Sequence, residues 1–470
     1  MMNTAVSDSK VLVNFLNGDG ERAGAPLEIP LDATTSQLQV LVNALLGAEE
    51  KYQFHVNDFE VTESLRKTLA QQEGSVSTEN AVEIRYEPQA VFRVRAVTRC
   101  TSSMPGHGEA VINAAFNNDG TQLASGSGDA SVRFWDLTTE SPLHVCKAHK
   151  QWVLVISWHP ASRYLASACK KGDVCIWDPK SGTQVGRILT GHKKYISSLA
   201  WQPLHCSKNN NILLASGSKD STIKIWEVVR GQCVMSLSSH TQGVTSIRWS
   251  GDDLIYSASQ DRTIKVWRSS DGVLCRTLQG HGHWVNSMAL STDYATRIGG
   301  WDPALQGKVQ STDPLSVYNK YKGGGEEFMV SGSDDFTLFL WHPAKSNKPV
   351  CRMTGHQQLI NQVMFSPNGR KIASASFDKS VKVWDGKTGK FVSTLRGHVR
   401  AVYQVSWSAD GKLLVSGSSD STVKIWCMRT FSLLQDLPGH ADEVYTVDWS
   451  PCGSKVVSGG KDKVLKIWRA

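Results

Sequence analysis

Serine, histidine and aspartate recur at fixed spacings along this chain of 470 residues. Eight histidines each follow a glycine, alanine or serine, and eight serines each stand ten residues before a tryptophan. Seven aspartates stand six residues before one of the same tryptophans. Together these residue types could form a hydrolytic triad, in which histidine takes the proton of a nucleophilic serine and aspartate orients the histidine.

The repetition argues against that chemistry. A covalent catalyst needs one activated hydroxyl beside an oxyanion hole, and eight copies have no catalytic use. We therefore predict a structural hydrogen-bonded network in each unit and no catalytic residue. Its members are His107, Ser125, Asp129 and Trp135; His149, Ser167 and Trp177; His192, Ser216, Asp220 and Trp226; His240, Ser257, Asp261 and Trp267; His281, Ser331, Asp335 and Trp341; His356, Ser374, Asp378 and Trp384; His398, Ser416, Asp420 and Trp426; and His440, Ser458, Asp462 and Trp468.

The second unit departs from this pattern. Its aspartate position holds Lys171, and Asp173 stands two residues later. A buried polar network is rigid only when every member is bonded. We therefore expect an incomplete network there and a locally softer unit.

Short strands must position these residues. Segments such as SVRFW, TIKIW and TVKIW alternate apolar and polar residues, as half-buried strands do, and GSGD, GSKD and GSSD indicate the tight turn before each of them. A repeat of about 42 residues with four strands is typical of a propeller blade. At this point the sequence resembles the WD-repeat family, with the Trp-Asp pair in register at Trp135-Asp136, Trp177-Asp178 and Trp384-Asp385. The resemblance implies an all-β, eight-bladed WD-repeat propeller, in which each network ties a turn to the loop entering the blade.

The propeller is predicted to span residues 91–470. The last tryptophan is residue 468, so we predict that the strand 91–100 (VFRVRAVTRC) supplies the outer strand of the last blade and closes the ring. Unit 5 carries an insertion at about 296–327 with prolines, several glycines and no clear period. This predicts a long surface loop on the face opposite the histidines.

Three aromatic residues are candidate contacts for a partner. Trp152, Tyr195 and Trp284 each stand three residues after a repeat histidine. Exposed aromatics at such positions make strong binding contacts. The alternative is that each ring packs on its neighbouring blade, since tryptophan is usually mostly buried.

The two ends of the chain differ in charge. Residues 1–90 carry a net charge of −8, and the residues after them carry +16. Such a separation suggests two surfaces with different partners, because a basic body attracts nucleic acid and an acidic module repels it. Chance and solvation remain an open alternative. The composition, 40% apolar and 20% charged, argues against disordered, collagen-like and membrane classes.

Residues 1–90 are predicted to form a separate small α+β domain. The strand-like segments KVLVNFL and LEIPL precede a helix with an apolar stripe, and YQFHV and AVEIRY follow it. This order within about 80 residues resembles a ubiquitin-like fold.

Several phrases resemble the Notchless family over essentially the whole chain: YEPQAVFRVRAVTRCTSSMPGH, GHGHWVNSMALS, SGSDDFTLFLW, SASFDKSVKVWDG and LPGHADEVYTVDWSP. The resemblance implies a non-enzymatic assembly factor for the large ribosomal subunit, located in the nucleolus and nucleoplasm. It implies a monomer that joins a large assembly by contacting pre-ribosomal proteins and rRNA, with no membrane partner.

The resemblance also implies a specific partner for the acidic domain. Proteins of this family present a glutamate to the metal-ion-dependent adhesion site of midasin, an AAA ATPase that pulls on the precursor particle. The matching residue, within SVSTENAVEIRY, is Glu79. The Mg²⁺ would be held by the partner, with Glu79 as a ligand in trans, and we expect the chain itself to hold no cofactor.

Other functions remain open from the residues alone. A WD-repeat adaptor or scaffold of the ubiquitin pathway is one alternative, although no F-box-like helical segment precedes the repeats. A role in Notch signalling and a sibling assembly factor with a similar head are others. An enzyme is the weakest alternative, because no glycine-rich phosphate loop, metal cluster or unique nucleophile is present in the sequence.

Overall fold

The computed structural model describes residues 10–17, 22–47, 52–56, 59–61, 64–70, 81–88, 94–207, 211–301, 313–322 and 325–469. The chain folds as two compact units that divide between Arg93 and Val94. None of the described helices combines the length and apolar character that crossing a bilayer requires.

The first unit is a mixed sheet with one long helix. Its elements are β1 (Lys10–Leu16), β2 (Leu27–Pro30), α1 (Thr35–Leu46), β3 (Tyr52–Val56), β4 (Phe59–Glu60), α2 (Leu65–Ala70) and β5 (Val82–Pro88). The strand order is β2-β1-β5-β3-β4, with β1 and β5 parallel, so β5 is the central strand. The apolar stripe predicted for α1 places Leu38 and Val42 in the core, against Phe15, Phe54 and Ile84. This unit is the small α+β domain predicted from the sequence.

The second unit contains eight antiparallel sheets. It begins with β6 (Arg99–Pro105). Blades 1 to 4 contain β7 (Val111–Phe116), β8 (Gln122–Ser127), β9 (Val132–Asp136) and β10 (Ser141–Cys146); β11 (Val153–Trp158), β12 (Leu165–Cys169) and β13 (Val174–Trp177); β14 (Ile196–Trp201), β15 (Leu213–Ser218), β16 (Thr222–Glu227) and β17 (Gln232–Ser238); and β18 (Val244–Trp249), β19 (Leu254–Ser259), β20 (Thr263–Arg268) and β21 (Leu274–Gln279).

Blades 5 to 8 contain β22 (Val285–Leu290), β23 (Met329–Ser333), β24 (Leu338–Trp341) and β25 (Pro349–Met353); β26 (Ile360–Phe365), β27 (Lys371–Ser376), β28 (Ser380–Asp385) and β29 (Phe391–Arg396); β30 (Val402–Trp407), β31 (Leu413–Ser418), β32 (Val423–Cys427) and β33 (Ser432–Leu437); and β34 (Val444–Trp449), β35 (Lys455–Gly460) and β36 (Val464–Arg469). A short 3₁₀ helix, Leu204–Cys206, lies in blade 3, and α3 (Asp293–Ile298) and α4 (Pro314–Lys322) lie in the insertion of blade 5.

The innermost strands form a closed ring. Each of β7, β11, β14, β18, β22, β26 and β30 lies beside the innermost strand of the next blade, and β34 lies beside β7. Side chains on these strands bond the backbone of the neighbouring blade. The Gln404 amide oxygen accepts a hydrogen bond from the Val447 N–H (3.2 Å), and the Thr446 hydroxyl accepts one from the Ala114 N–H (3.2 Å), which joins blade 8 to blade 1. The structure is therefore an eight-bladed propeller, as predicted.

The ring closes with a strand that differs from the predicted one. β6 pairs antiparallel with β36 from Arg99↔Arg469 to Pro105↔Val464, so the closing strand is 99–105 rather than 91–100. Of the predicted strand, residues 91–93 lie outside the described residues, and residues 94–98 are not in a strand. Val97 is fully buried in the core of blade 8, and Val94 packs against the same core. The apolar residues that suggested a strand therefore cover this core.

The insertion in blade 5 was predicted to be a surface loop, and this is wrong for its described parts. It forms α3 and α4, and Ile298, Val317 and Tyr318 are buried. The Arg297 guanidinium donates two hydrogen bonds to the Asp448 carboxylate of blade 8, at 2.9 and 2.5 Å. Asp448 also accepts from the Phe116 N–H of blade 1 (3.0 Å). The insertion thus links blade 5 to the blade in which both ends of the propeller meet.

Candidate functional site: the histidine face of the propeller

The predicted networks are assembled from residues on different strands and turns of each blade. In blade 1, His107 Nε2 lies 2.7 Å from Ser125 Oγ and His107 Nδ1 lies 2.9 Å from Asp129 Oδ2. The Trp135 indole N–H donates to the same serine oxygen (2.8 Å). Asp129 also accepts a hydrogen bond from the Gly108 N–H (2.9 Å), which fixes the loop beside the histidine.

The same four residues are joined in seven of the eight blades. The histidine Nδ1 to aspartate Oδ2 distances run from 2.7 to 3.1 Å, and the histidine Nε2 to serine Oγ distances are 2.7 or 2.8 Å. All of the serines are fully buried, so no substrate can reach their hydroxyls. This geometry supports a structural role for the networks.

Five of the network aspartates have a strongly lowered pKa, so their carboxylates are ionised at neutral pH. Burial alone would raise the aspartate pKa, but hydrogen bonds from the histidine and from a neighbouring hydroxyl outweigh burial and hold the pKa well below its usual range. This holds for Asp129, Asp261, Asp335, Asp378 and Asp420. Burial lowers the pKa of His192 and His356, although the partner aspartate partly opposes it.

The network of blade 2 lacks its carboxylate. Lys171 forms an ion pair with Asp173 (3.1 Å), and His149 Nδ1 faces the Cys175 sulfur at 3.8 Å. The hydrogen bonds of Ser167 to His149 and Trp177 remain, both at 2.7 Å. Burial lowers the pKa of His149 to about 4. Among the described residues, the sheet of blade 2 has three strands, whereas the sheet of every other blade has four.

Each blade contributes two residues to what we call the inner rim of the histidine face. One is the third residue after the histidine, and the other is the residue before the aspartate position. In every blade the N–H of the second donates to the carbonyl of the first, at 2.9 to 3.1 Å. The pairs are Ala110 with Gly128, Trp152 with Lys170, Tyr195 with Lys219, Gly243 with Gln260, Trp284 with Asp334, Leu359 with Phe377, Ala401 with Ser419, and Glu443 with Lys461.

The three aromatic candidates lie on this rim and are accessible. Trp152 is 51% exposed, Tyr195 38% and Trp284 41%. The Lys170 ammonium lies 5.1 Å from the centre of the Trp152 ring, and the Lys219 ammonium lies 5.3 Å from that of Trp284. The repeat pattern does not single out these two lysines. Their place immediately before the aspartate position of the tight turn can be located from the repeat, but the residue type there varies from blade to blade.

The opposite part of the rim has a different character. In blade 8, Glu443 accepts hydrogen bonds from the Ser419 hydroxyl (2.8 Å) and the Tyr445 hydroxyl (3.0 Å). These bonds, with the hydroxyl of Ser419 contributing most, lower the pKa of Glu443. The carboxylate of the neighbouring Asp442 forms an ion pair with the Lys461 ammonium at 3.3 Å. The rim thus carries lysine and aromatic side chains in blades 2 and 3, neither in blade 4, Trp284 beside the carboxylate of Asp334 in blade 5, and Glu443 with Lys461 in blade 8.

The glutamate implied by the family resemblance, Glu79, lies outside the described residues. The chain is described again from Ala81, and β5 begins at Val82, three residues after Glu79. Within the part of the chain that is described, no group of three or more His, Cys, Asp or Glu side chains could hold a metal ion.

Comparison with known proteins identifies the family. A family model described as "NLE (NUC135) domain" matches residues 11–69. The "Protein Notchless" of Drosophila melanogaster is 52% identical over 76% of this chain and 75% of its own length. The chain belongs to the Notchless family. The "Notchless protein homolog" of Arabidopsis thaliana is 52% identical over 83% of both chains. "Ribosome assembly protein 4" of Saccharomyces cerevisiae is 46% identical over 79% of this chain and 77% of its own.

The propeller of this Notchless-family chain is similar to known WD repeats. A model described as "WD domain, G-beta repeat" matches residues 98–136, 140–178, 183–227, 231–268, 347–385, 389–427 and 431–469. The seven matches leave out blade 5, whose repeat is interrupted by the insertion with α3 and α4. The crystal structure of the computationally designed Ika8 protein covers 78% of this chain and 99% of its own, with a TM-score of 0.63 and 27% identity.

Proposed function

We propose that this Notchless-family protein is a non-enzymatic assembly factor of the large ribosomal subunit that works in the nucleolus and nucleoplasm. The observation that carries the proposal is the 46% identity, over most of both chains, with a yeast protein named for ribosome assembly. The buried serines of the propeller support a scaffold role, because none of them is available to a substrate. The basic residues after position 90 suit a particle rich in rRNA.

The finer proposal concerns the acidic first unit. We propose that Glu79 binds the Mg²⁺ in the adhesion site of midasin, and that ATP-driven motion is passed to the particle through this contact. A hard cation with an open coordination position takes a carboxylate oxygen at about 2.1 Å. Glu79 closely precedes β5, and β5 is hydrogen-bonded on both sides, to β1 and to β3. A force applied near the start of a central strand is resisted by two strand pairings.

The test is binding of the full chain to the adhesion-site domain of midasin, with Mg²⁺ and with EDTA. We expect Glu79→Ala and EDTA each to abolish binding, since both remove the metal-bridged bond. We expect Glu79→Asp to weaken it severely, because aspartate is shorter by one carbon–carbon bond of about 1.5 Å. Glu83→Ala is the matched control, because Glu83 is an exposed acid on β5 of the same unit.

Three outcomes would contradict the midasin contact. Binding that survives EDTA and Glu79→Ala would exclude a metal bridge through this residue. Equal losses in Glu79→Ala and Glu83→Ala would indicate a general charge effect. Complete absence of binding would leave the ubiquitin-pathway adaptor as the function to test next.

A further inference from the structure

The inner rim and the lysines beside it concentrate unpaired positive charge in blades 2 and 3 and aromatic surface in blades 2, 3 and 5. We call this surface the lysine–aromatic arc. It consists of Lys150, Trp152, Lys170, Lys193, Lys194, Tyr195, Lys219 and Trp284. Its lysines are exposed except for Lys219, which is half-buried. None of the described residues forms an ion pair with these five lysines. The nearby network aspartates are already bound by their histidines and by backbone N–H groups.

A groove at one end of the arc combines positive charge with an exposed aromatic ring. Its volume is about 420 Å³, and it is lined by Lys150, Gln151, Trp152 and Lys170 together with the turn at Gly128. The Lys170 ammonium lies over the Trp152 ring. A methyl group placed on Gly128 would lie 3.7 Å from the central bond of the indole, so the turn lies beside the ring with no side chain of its own between them. The tryptophan is therefore held in place while half of its surface stays exposed.

At the other end of the arc, Lys219 of blade 3 reaches across blade 4 to Trp284 of blade 5. It can do so because blade 4 has Gly243 at the rim position that carries an aromatic ring in blades 2, 3 and 5. A methyl group on Gly243 would come within 2.4 Å of the Lys219 side chain. Burial lowers the pKa of Lys219, and the like charge of the neighbouring Lys194 lowers it further. An anion at this position would relieve their repulsion.

The chemistry of the arc favours an acidic peptide over a nucleic acid. Single-stranded RNA binds such surfaces by stacking its bases on free aromatic faces. On the arc, an ammonium group already lies over the rings of Trp152 and Trp284, and a stacked base would have to displace it. The carboxylate of Glu443 on the blade 8 rim and that of Asp442 beside it would repel a phosphate backbone that continued around the face. Carboxylate side chains, in contrast, can pair with the lysines as they stand, while apolar side chains contact the exposed indole edges.

We propose that the lysine–aromatic arc is the docking site for an extended, acidic peptide segment of a partner protein. The proposal deepens the assembly-factor function, on which it rests, by stating the chemistry of a partner held by the propeller. Acidic side chains of the peptide pair with Lys170 and Lys219, and its apolar side chains contact Trp152 and Trp284.

The test is a fluorescence-anisotropy titration of the full chain with a labelled peptide that alternates glutamate and leucine. A matching peptide of glutamine and leucine and an oligouridylate of equal length serve as comparison probes. We expect the glutamate peptide to bind most tightly, and more weakly as salt is raised. Lys170→Glu combined with Lys219→Glu should weaken its binding at least about tenfold, and Trp152→Ala about tenfold.

Two further variants separate position from charge. Lys180→Glu reverses the charge of an exposed lysine on the turn between the third and fourth strand positions of blade 2. This turn lies away from the histidine face, so we expect peptide binding to be unchanged. Gly243→Ala retains every charge but displaces Lys219, and should weaken peptide binding.

Three outcomes would overturn the proposal. The first is that oligouridylate binds more tightly than the glutamate peptide and that the arc variants lose this oligouridylate binding. The second is that Lys180→Glu weakens peptide binding as much as the arc variants do. The third is that the glutamate peptide does not bind. The titration contains neither midasin nor pre-ribosomes. Its failure would therefore leave the assembly function standing, and a failure of the Glu79 experiment would leave the arc intact.

Discussion

At the scale of single residues, Glu327 is a buried acid without a basic partner among the described residues. It is 3% exposed and accepts a hydrogen bond from the Ser250 hydroxyl at 2.6 Å and another from the Thr292 hydroxyl. Burial raises the pKa of Glu327 to about 7, and the nearby carboxylates Asp252 and Asp293 add to the effect. The carboxyl therefore ionises in the folded protein only near neutral pH.

This raised pKa predicts a pH dependence of stability. Below the ordinary glutamate pKa the group is neutral in both folded and unfolded chains and has no effect. As the pH rises from the ordinary glutamate pKa to about 7, the unfolded chain ionises while the buried carboxyl stays protonated, so the folded state loses stability, by about 3 kcal/mol at most. Above about 7 the carboxyl is ionised in both states and the loss stays constant. Glu327→Gln should raise the thermal midpoint at pH 8 and change it little at pH 4. An equal shift at both values would contradict this explanation.

The residues of the networks could be predicted from the sequence, but the rim lysines could not. His, Ser, Asp and Trp recur because every blade needs the same buried hydrogen bonds. Lys170 and Lys219 occupy a position that holds glycine, glutamine, aspartate, phenylalanine, serine or lysine in the other six blades. A position that faces solvent is under no common packing constraint, so no repeat reveals it.

At the scale of elements, blade 2 differs from the other blades in two ways that we expect to act together. It lacks the network carboxylate, and its fourth strand position is represented only by the bridges Val174↔Leu189 and Trp177↔Gln184. In the other blades the aspartate bonds both the histidine and the loop, as Asp220 does to His192 and the Lys193 N–H. Without it, the loop at His149 is held less firmly.

Restoring the network should therefore stabilise this blade. Lys171→Asp together with Asp173→Thr reproduces the spacing seen at Asp220 and Thr222. A hydrogen bond to a charged group contributes about 1.5–3 kcal/mol, and we expect slower amide exchange in β12 and β13 by about one order of magnitude or more. Lys171→Ala with Asp173→Ala removes the same surface pair without adding the carboxylate and should not slow exchange. Slower exchange in both variants would refute the explanation.

Two elements differ from their prediction, the closing strand and the insertion in blade 5, and each difference has a physical reason. The closing strand RCTSSMP is an outer strand with mostly exposed side chains, so it lacks the alternation that marks the inner strands. The helices of the insertion are short, and each buries only two residues, Ala295 and Ile298 in α3 and Val317 and Tyr318 in α4. So few apolar positions do not establish a helical period.

At the scale of the whole molecule, the proposed function assigns different tasks to the two units. The acidic unit would receive the pull of midasin, and the propeller would hold the particle. Deleting residues 1–90 should then arrest maturation of the large subunit while the propeller still sediments with the precursor. The measurement is a gradient profile of particles together with the rRNA precursors in cells that carry only the deleted chain. Normal maturation in those cells would contradict the force-coupling proposal, and full-length protein with Glu83→Ala should behave as wild type.

The pairing of β6 with β36 also has a consequence for how the protein is made. The first strand of the propeller, β6, ends at Pro105, and it emerges from the ribosome long before its partner β36, which begins at Val464. At about 5–20 residues per second, the wait lasts on the order of tens of seconds. During that time the edges of the growing row of blades are open to wrong pairing. A nascent chain of this protein therefore keeps an open edge until β36 has been added, and a chain that lacks β36 would retain that edge permanently.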